Sequence, residues 1–162
     1  MATFADLKLH HRPFIKRYPF WRYEIKDNPT AELKKPLSEC RVALITTAAM
    51  RLESDKRFSN MLKLGDHSFR QIPNDAEVQS LFVDHDSNTF DHSGIEADKN
   101  LAFPLDRFRE LESDGKIGRL NHRHISFMGS IISSSKLIGE SAPAAARILI
   151  EDKVEAVFLA PV

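Results

Sequence analysis

Val42-Ala43-Leu44-Ile45-Thr46-Thr47 is a continuous apolar run that follows a turn region at Pro36 and Ser38, and it decides how the rest of the chain is read. An unalternating apolar run of about four to eight residues fits a strand covered on both faces. Such strands belong to parallel sheets. Ala156-Val157-Phe158-Leu159-Ala160 is a second run of the same kind, and His124 to Met128 reads as a further strand that stops at Gly129. Helical segments separate them. Pro104 to Ser113 has Pro at its first turn, Leu105, Phe108 and Leu111 at helical spacing, and Gly115 as its stop. Ser135 to Lys153 is a helical region in which Pro143 either kinks the helix or opens a second segment, with Ala145, Ile148 and Leu149 facing inward. This alternation predicts an α/β fold: a mainly parallel sheet with flanking helices and right-handed crossovers, three-layered and Rossmann-like or flavodoxin-like. The sequence stops at Val162, two residues past the last strand. Ligands gather beyond the carboxyl ends of such strands, so the sheet is expected to be incomplete at its C-terminus, with the last strand uncovered.

Length and composition support a single globular body. The 162 residues are 42% hydrophobic, 9% aromatic and 28% charged, and a chain of this size removes roughly 70% of its unfolded surface from water. Cys40 is the one cysteine, which excludes an internal disulfide framework, a thiol-only zinc cluster and a self-contained dithiol pair. No apolar stretch approaches the ~18 residues of a spanning helix and no signal-peptide pattern opens the chain, so a cytoplasmic location away from membranes is expected. Lys plus Arg and Asp plus Glu both number 23, so no whole-molecule field draws the chain to nucleic acid. The charges are unevenly placed. Residues 1–35 read as a basic and aromatic N-terminal arm before an α/β domain at 36–162: Met1 to Lys26 holds six Lys/Arg against Asp6 and Glu24, interleaved with Phe14, Tyr18, Phe20, Trp21 and Tyr23. Such a segment can stack on nucleic acid, but packing on its own domain or on a partner subunit gives the same pattern. Asp75 to Asp98 has seven acidic residues and no Lys or Arg, so the two segments can pair with each other or with another subunit.

Several chemistries lack their residues: there is no phosphate loop, no GxGxxG, no GxSxG turn and no HExxH. A polar central block remains. Gly65-Asp66-His67-Ser68-Phe69-Arg70 places a carboxylate, an imidazole, a hydroxyl and a guanidinium within six residues, where an Arg and a His together can hold a carboxylate. A glycine turn with local hydrogen bonds explains the same residues. His85-Asp86 and Asp91-His92, with Asp84, can supply mixed metal ligands, although a solvated acidic loop accounts for them as well. His122 and His124 lie two apart in the expected strand, on one side, and His124 is the better acid or base candidate, with a satisfied buried histidine as its equal alternative. Asp106 fits a carboxylate in the first turn of its helix. Cys40, ahead of the first strand, fits a packed thiol.

Lys35 to Ala48, with Cys40-Arg41-Val42 at its centre, and Gly65 to Pro73 together resemble the selenoprotein B family of glycine, sarcosine, betaine and D-proline reductases. His85-Asp86, Asp98 to Asn100, Phe103-Pro104-Leu105-Asp106-Arg107, His122 to Gly129 and Val154 to Val162 continue the resemblance, as does Tyr18-Pro19-Phe20-Trp21-Arg22 in the arm. It covers essentially the whole chain and is nearer the shorter D-proline reductase type. The resemblance implies reductive cleavage of the C–N bond alpha to the carboxylate of glycine, a glycine derivative or D-proline. In the family the amine condenses with a pyruvoyl carbonyl on a partner subunit, a selenolate attacks the alpha carbon, and a nearby thiol resolves the product, with a dithiol or thioredoxin-type reductant as electron donor. Selenolate suits the step because a nucleophile of low pKa is ionised at neutral pH.

The family's selenocysteine or cysteine, and a Cys two residues beyond it, directly follow the segment that matches Pro161-Val162, and this sequence lacks them. The expectation is a chain truncated where a UGA codon was read as a stop, inactive alone; a natural short form serving as a non-catalytic assembly subunit is the other account. By carry-over, Asp66, His67, Arg70, His85 and His124 line the substrate site. Arg70, His67, Thr46 and Thr47 would bind substrate, and no cofactor or metal would be held by this chain itself. The alternative from another class is a metal-binding, hydrolase-like module using His67, His85, Asp91 and His92.

Overall fold

The computed structural model describes residues 9–10, 12–17, 31–59, 65–85 and 92–162. The chain divides into two compact units, Met1–Glu32 and Leu33–Val162. In the first, one short helix, α1 (Arg12–Arg17), is described; residues 1–8, 11 and 18–30 of the basic arm lie outside the described residues, as do 86–91 of the acidic segment.

The second unit runs β1 (Arg41–Thr46), β2 (Met50–Arg51), β3 (Phe69–Pro73), β4 (Phe82–Val83), α2 (Ser93–Ala97), α3 (Leu105–Ser113), β5 (Arg119–Leu120), β6 (Arg123–Phe127), α4 (Ala142–Glu151) and β7 (Ala156–Ala160). It is an α/β fold built on β1. β1 pairs in parallel with β7 along its whole length, with Val42 opposite Ala156 and Thr46 opposite Ala160. It also pairs in parallel with β5 through Arg41 and Val42 and with β6 through Ile45 and Thr46. A strand has two edges, so β5 and β6 share the edge opposite β7. Antiparallel β3 closes the far side of β6, with Phe69 opposite Phe127.

Alternation along β1 explains why the apolar run is unbroken. Val42 and Leu44 enter one core with Phe103, Leu105 and Ile72, against which Phe108 and Leu111 of α3 pack. Ala43 enters a second core with Ile125, Phe127 and the α4 residues Ala145 and Leu149, joined by Ile45 and Ile148. Helices therefore cover both faces, as the sequence predicts.

The helix carrying Pro143 is resolved by its register. A π turn, Leu137–Ser141, leads directly into α4, and Pro143 occupies the first turn of α4. Proline has no N–H to donate back along the helix, and a widened turn ahead of it re-spaces the backbone. α4 ends with Lys153 N–H on Ile150 O and Val154 N–H on Leu149 O, both at 2.9 Å, and with Lys153 at φ 58°. This double bond closes the last turn.

β7 forms as read, and Val157, Phe158 and Leu159 are 40%, 42% and 65% exposed, in line with a last strand left uncovered. Among the described residues it has a neighbour on one edge, and Phe158 meets Phe108 of α3 at 5.0 Å between ring centres. His122 precedes β6 with its side chain 65% exposed, while His124 is fully buried, so the two do not share a surface. Phe69–Pro73, for which the sequence offered no strand, is one. One of its five residues, Ile72, is fully buried, which leaves too little alternation to recognise.

The Asp98 to Arg107 stretch is a polar cap for α3. Asp98 accepts the Asn100 N–H at 2.9 Å and the Gln79 side-chain N–H at 2.8 Å, and Asn100 accepts the Asp106 N–H at 3.1 Å. No helix among the described residues is long and apolar enough to cross a membrane.

Candidate functional site at the carboxyl ends of the parallel strands

β1, β6 and β7 end at one margin of the sheet, and the segments that leave them fold onto each other there. Thr47 follows β1. Its N–H donates to Ala160 O at 3.2 Å, and its hydroxyl accepts the Val162 N–H at 2.8 Å and donates to Val162 O at 3.2 Å. Thr47 therefore fixes the direction in which the backbone leaves β7. Gly129 follows β6 at the same place. A Cβ there would lie 2.7 Å from His85 Nε2, 2.9 Å from Val162 O and 3.0 Å from Thr47 O. Only a residue without a side chain lets these groups meet.

His85, buried at 6% exposure, reaches this point through a chain of constraints. Ala49 adopts the left-handed φ of 54°, donating to Phe127 O at 2.8 Å and accepting the Asp84 N–H at 3.0 Å. An alanine in that region carries strain that only surrounding structure sustains, and such strain collects at functional positions. Ser130, beside Gly129, has φ 55°. The two-stranded ribbon of β2 and β4, with Arg51 opposite Phe82, then delivers the chain to His85. Its buried ion pair, Arg51 Nε to Asp84 Oδ2 at 2.7 Å, is completed by the Phe58 N–H on the same oxygen at 2.9 Å. Arg51, Ala49 and Gly129 were not singled out from the sequence. Gly129 stood there as a strand end, and nothing in a lone Ala signals positive φ.

The Gly65–Arg70 block abuts the same margin, since a Cβ added at Gly65, at φ +92°, would lie 2.8 Å from Ile131 Cα. Asp66 accepts the Ser59 N–H at 2.8 Å, the Ser68 N–H at 2.9 Å and the Ser68 hydroxyl at 2.5 Å. Burial works to raise the Asp66 pKa, but these bonds and the nearby Arg70 charge outweigh it, and the carboxyl sits below its usual range. Arg70 donates to Lys56 O, Arg57 O, Phe69 O and the Ser68 hydroxyl at 2.7 to 3.1 Å, and lies 4.1 Å over the Phe58 ring. Its guanidinium clasps the 56–58 loop. His67 Nδ1 is buried without a hydrogen-bond partner among the described residues.

The remaining candidates fall elsewhere. Thr46 is buried and joins Ala102 O at 2.7 Å to the Ala48 N–H at 3.2 Å. His124 lies near the amino end of β6, where its Nδ1 accepts the Leu44 N–H at 3.1 Å and its Nε2 faces Asn74 Oδ1 at 3.3 Å. Leu44 lies between the β5 and β6 pairings of β1, so the imidazole fills the gap in the ladder. Burial, then the Arg109 and His122 charges, push the His124 pKa down to about 4. The His85 and His92 rings are 6.3 Å apart, and Asp91 lies outside the described residues. No cluster of three metal-ligating side chains occurs among the described residues. Cys40 is buried at the opposite end of β1, with Sγ 3.4 Å from Pro36 O.

The class so defined is a mainly parallel α/β protein with its polar, strained junction beyond the carboxyl ends of β1, β6 and β7. The family model described as glycine/sarcosine/betaine reductase selenoprotein B matches residues 7–162, and the chain belongs to that family. It is 39% identical over 125 residues to D-proline reductase subunit gamma of Acetoanaerobium sticklandii, which covers 77% of this chain and 50% of that protein. It is 28% identical over 165 residues to the sarcosine reductase complex component B subunit beta of Peptoclostridium acidaminophilum, covering 94% of this chain and 34% of that protein. The chain thus spans about half and about a third of the lengths of these relatives. No solved structure matches it.

Proposed function

We propose that this chain forms the substrate-site portion of a reductase subunit that cleaves the C–N bond alpha to the carboxylate of glycine, a glycine derivative or D-proline. The observation that supports this most directly is the meeting of Thr47, His85 and Val162 at Gly129, beyond the carboxyl ends of the strands where α/β proteins place their chemistry. In the complete enzyme, a selenolate or thiolate placed just past β7 would attack the alpha carbon as the C–N bond breaks. A neighbouring thiol would cleave the new selenium–carbon or sulfur–carbon bond to release the reduced carbon with a proton, and a dithiol or thioredoxin-type donor would reduce the resulting selenide–sulfide or disulfide. A pyruvoyl carbonyl on a partner subunit would hold the departing nitrogen of substrates whose amine bears a hydrogen. Cys40 does not fit the nucleophile's place, being buried at the other end of β1. In this reading Thr47 aims the backbone that leaves β7, and Asp66 and Arg70 hold the loop that presents His67. The half-buried His67 ring takes the substrate carboxylate, its buried Nδ1 pointing away from it. His85 donates a proton to the amine nitrogen as its C–N bond breaks.

The test is an assay of the complete subunit with its partner subunit, offered D-proline, sarcosine, glycine or betaine with dithiothreitol as reductant. Cleavage consuming two electrons and two protons per substrate, with ring opening of D-proline to 5-aminopentanoate or release of the amine from the others, supports the reading. His85→Gln is expected to lower kcat about 10²-fold or more. A folded subunit shown to be assembled with its partner that reduces none of the four overturns it.

A further inference from the structure

We propose that the amino end of the sheet holds a separate site for a phosphoryl-type oxyanion. An open cleft of about 560 Å3 lies there, lined by Lys35, Arg41, Arg119 and Lys153 together with Glu39 and Glu155. Four cations thus face two carboxylates, and one carboxylate is already engaged: Glu155 lies 2.9 Å from Lys35 Nζ and accepts the Arg41 N–H at 3.0 Å. Arg41 Nη1 donates to Asp152 O at 2.8 Å, which anchors its guanidinium at the cleft wall. Arg119 and Lys153 are exposed, and their side chains make no hydrogen bond or ion pair among the described residues.

Two backbone features gather these charges against the interest of stability. The parallel pairing of β1 with β5 sets Arg41 directly opposite Arg119, and like charges so placed on neighbouring strands repel. Lys153 takes the left-handed position that ends α4, at φ 58°, where glycine is the unstrained choice. Neither improves packing, and both bring a cation to the same cleft. Local rules broken together at one place point to function. A dianion between Arg41 and Arg119 removes the repulsion, engages guanidinium forks that match oxyanion geometry, and balances the surplus of two positive charges. The site is at the end of the sheet opposite the proposed reductase centre and stands independently of that reading.

The test uses the 162-residue chain, titrated with inorganic phosphate at constant ionic strength held with sodium chloride and followed by two-dimensional amide NMR. Saturable shifts confined to the amides around Arg41, Arg119 and Lys153 are expected. Lys153→Gly should weaken binding about threefold or more, as loss of one exposed charge contact allows, while raising the thermal unfolding midpoint of the free protein through relief of strain. Arg119→Gln should weaken binding similarly. A parallel titration with glycerol 3-phosphate separates sources: tighter binding of the ester identifies an organic phosphate as the ligand, and equal binding identifies free phosphate. Shifts reproduced by sodium chloride alone, or binding unchanged in both variants, overturn the proposal.

Discussion

A methyl group added at Gly129 would fall 2.7 Å from His85 Nε2 and within 3.0 Å of the Val162 and Thr47 carbonyl oxygens. Backbone oxygens cannot swing aside as a side chain can, so Gly129→Ala is expected to destabilise the fold by about 1–3 kcal/mol, measured by urea unfolding. Gly139 provides the contrast: a Cβ there meets nothing within 4 Å, it lies in the π turn, and its φ is not positive. Gly139→Ala should stabilise the protein by about 0.5–1 kcal/mol in the same experiment. Sequence alone does not separate these two glycines, because what distinguishes them is the backbone of other segments. The same holds among the polar candidates. Thr46 and Thr47 are adjacent and alike, yet one is sealed against Ala102 O and the other holds Val162 at the margin of the sheet. Side-chain type indicated which chemistry was available, and only the pairing of strands decided which residue stood where.

The apolar runs of β1 and β7 look interchangeable in sequence, and both formed strands within one residue of where they were read. Their burial differs because, among the described residues, β1 has neighbours on both edges and β7 on one. Local apolarity specifies a strand; the neighbours that cover it are a property of the assembled sheet. β7 carries none of the usual protections of an edge strand, having no charge, no proline and no bulge in Ala156–Ala160. Reversible self-association of the 162-residue chain is therefore expected in sedimentation velocity. Leu159→Lys, at the most exposed position of the strand, should shift it toward monomer with an unchanged circular dichroism spectrum.

Across the whole molecule, two groups give stability a stepped dependence on acid. His124 is neutral in the fold with its pKa pushed from 6.5 down to about 4. The unfolded chain therefore takes up this proton first, and stability falls as pH drops from about 6.5 toward 4, by on the order of 3 kcal/mol. Asp152 gives the second step. The Arg123 guanidinium, at 2.7 Å, and the Asn121 amide hold its pKa down to about 2 against an ordinary 3.8 despite its burial. Its contribution persists above pH 3.8 and is lost as pH falls toward 2. Denaturant unfolding from pH 7 to 3 should show the first decline in the native chain and a flattened profile in His124→Asn, whose amide oxygen can still accept the Leu44 N–H.

That Leu44 N–H has a consequence of its own. Ala43 and Ile45 on either side pair with β7 in the parallel ladder, whereas this amide is held by an aromatic nitrogen that disappears as an acceptor once it binds a proton. In deuterated solvent below the His124 transition, Leu44 should lose its slow-exchange signature while Ile45, one residue on, retains it. The centre of the sheet would then read out solution acidity at a single peptide group, before any strand separates.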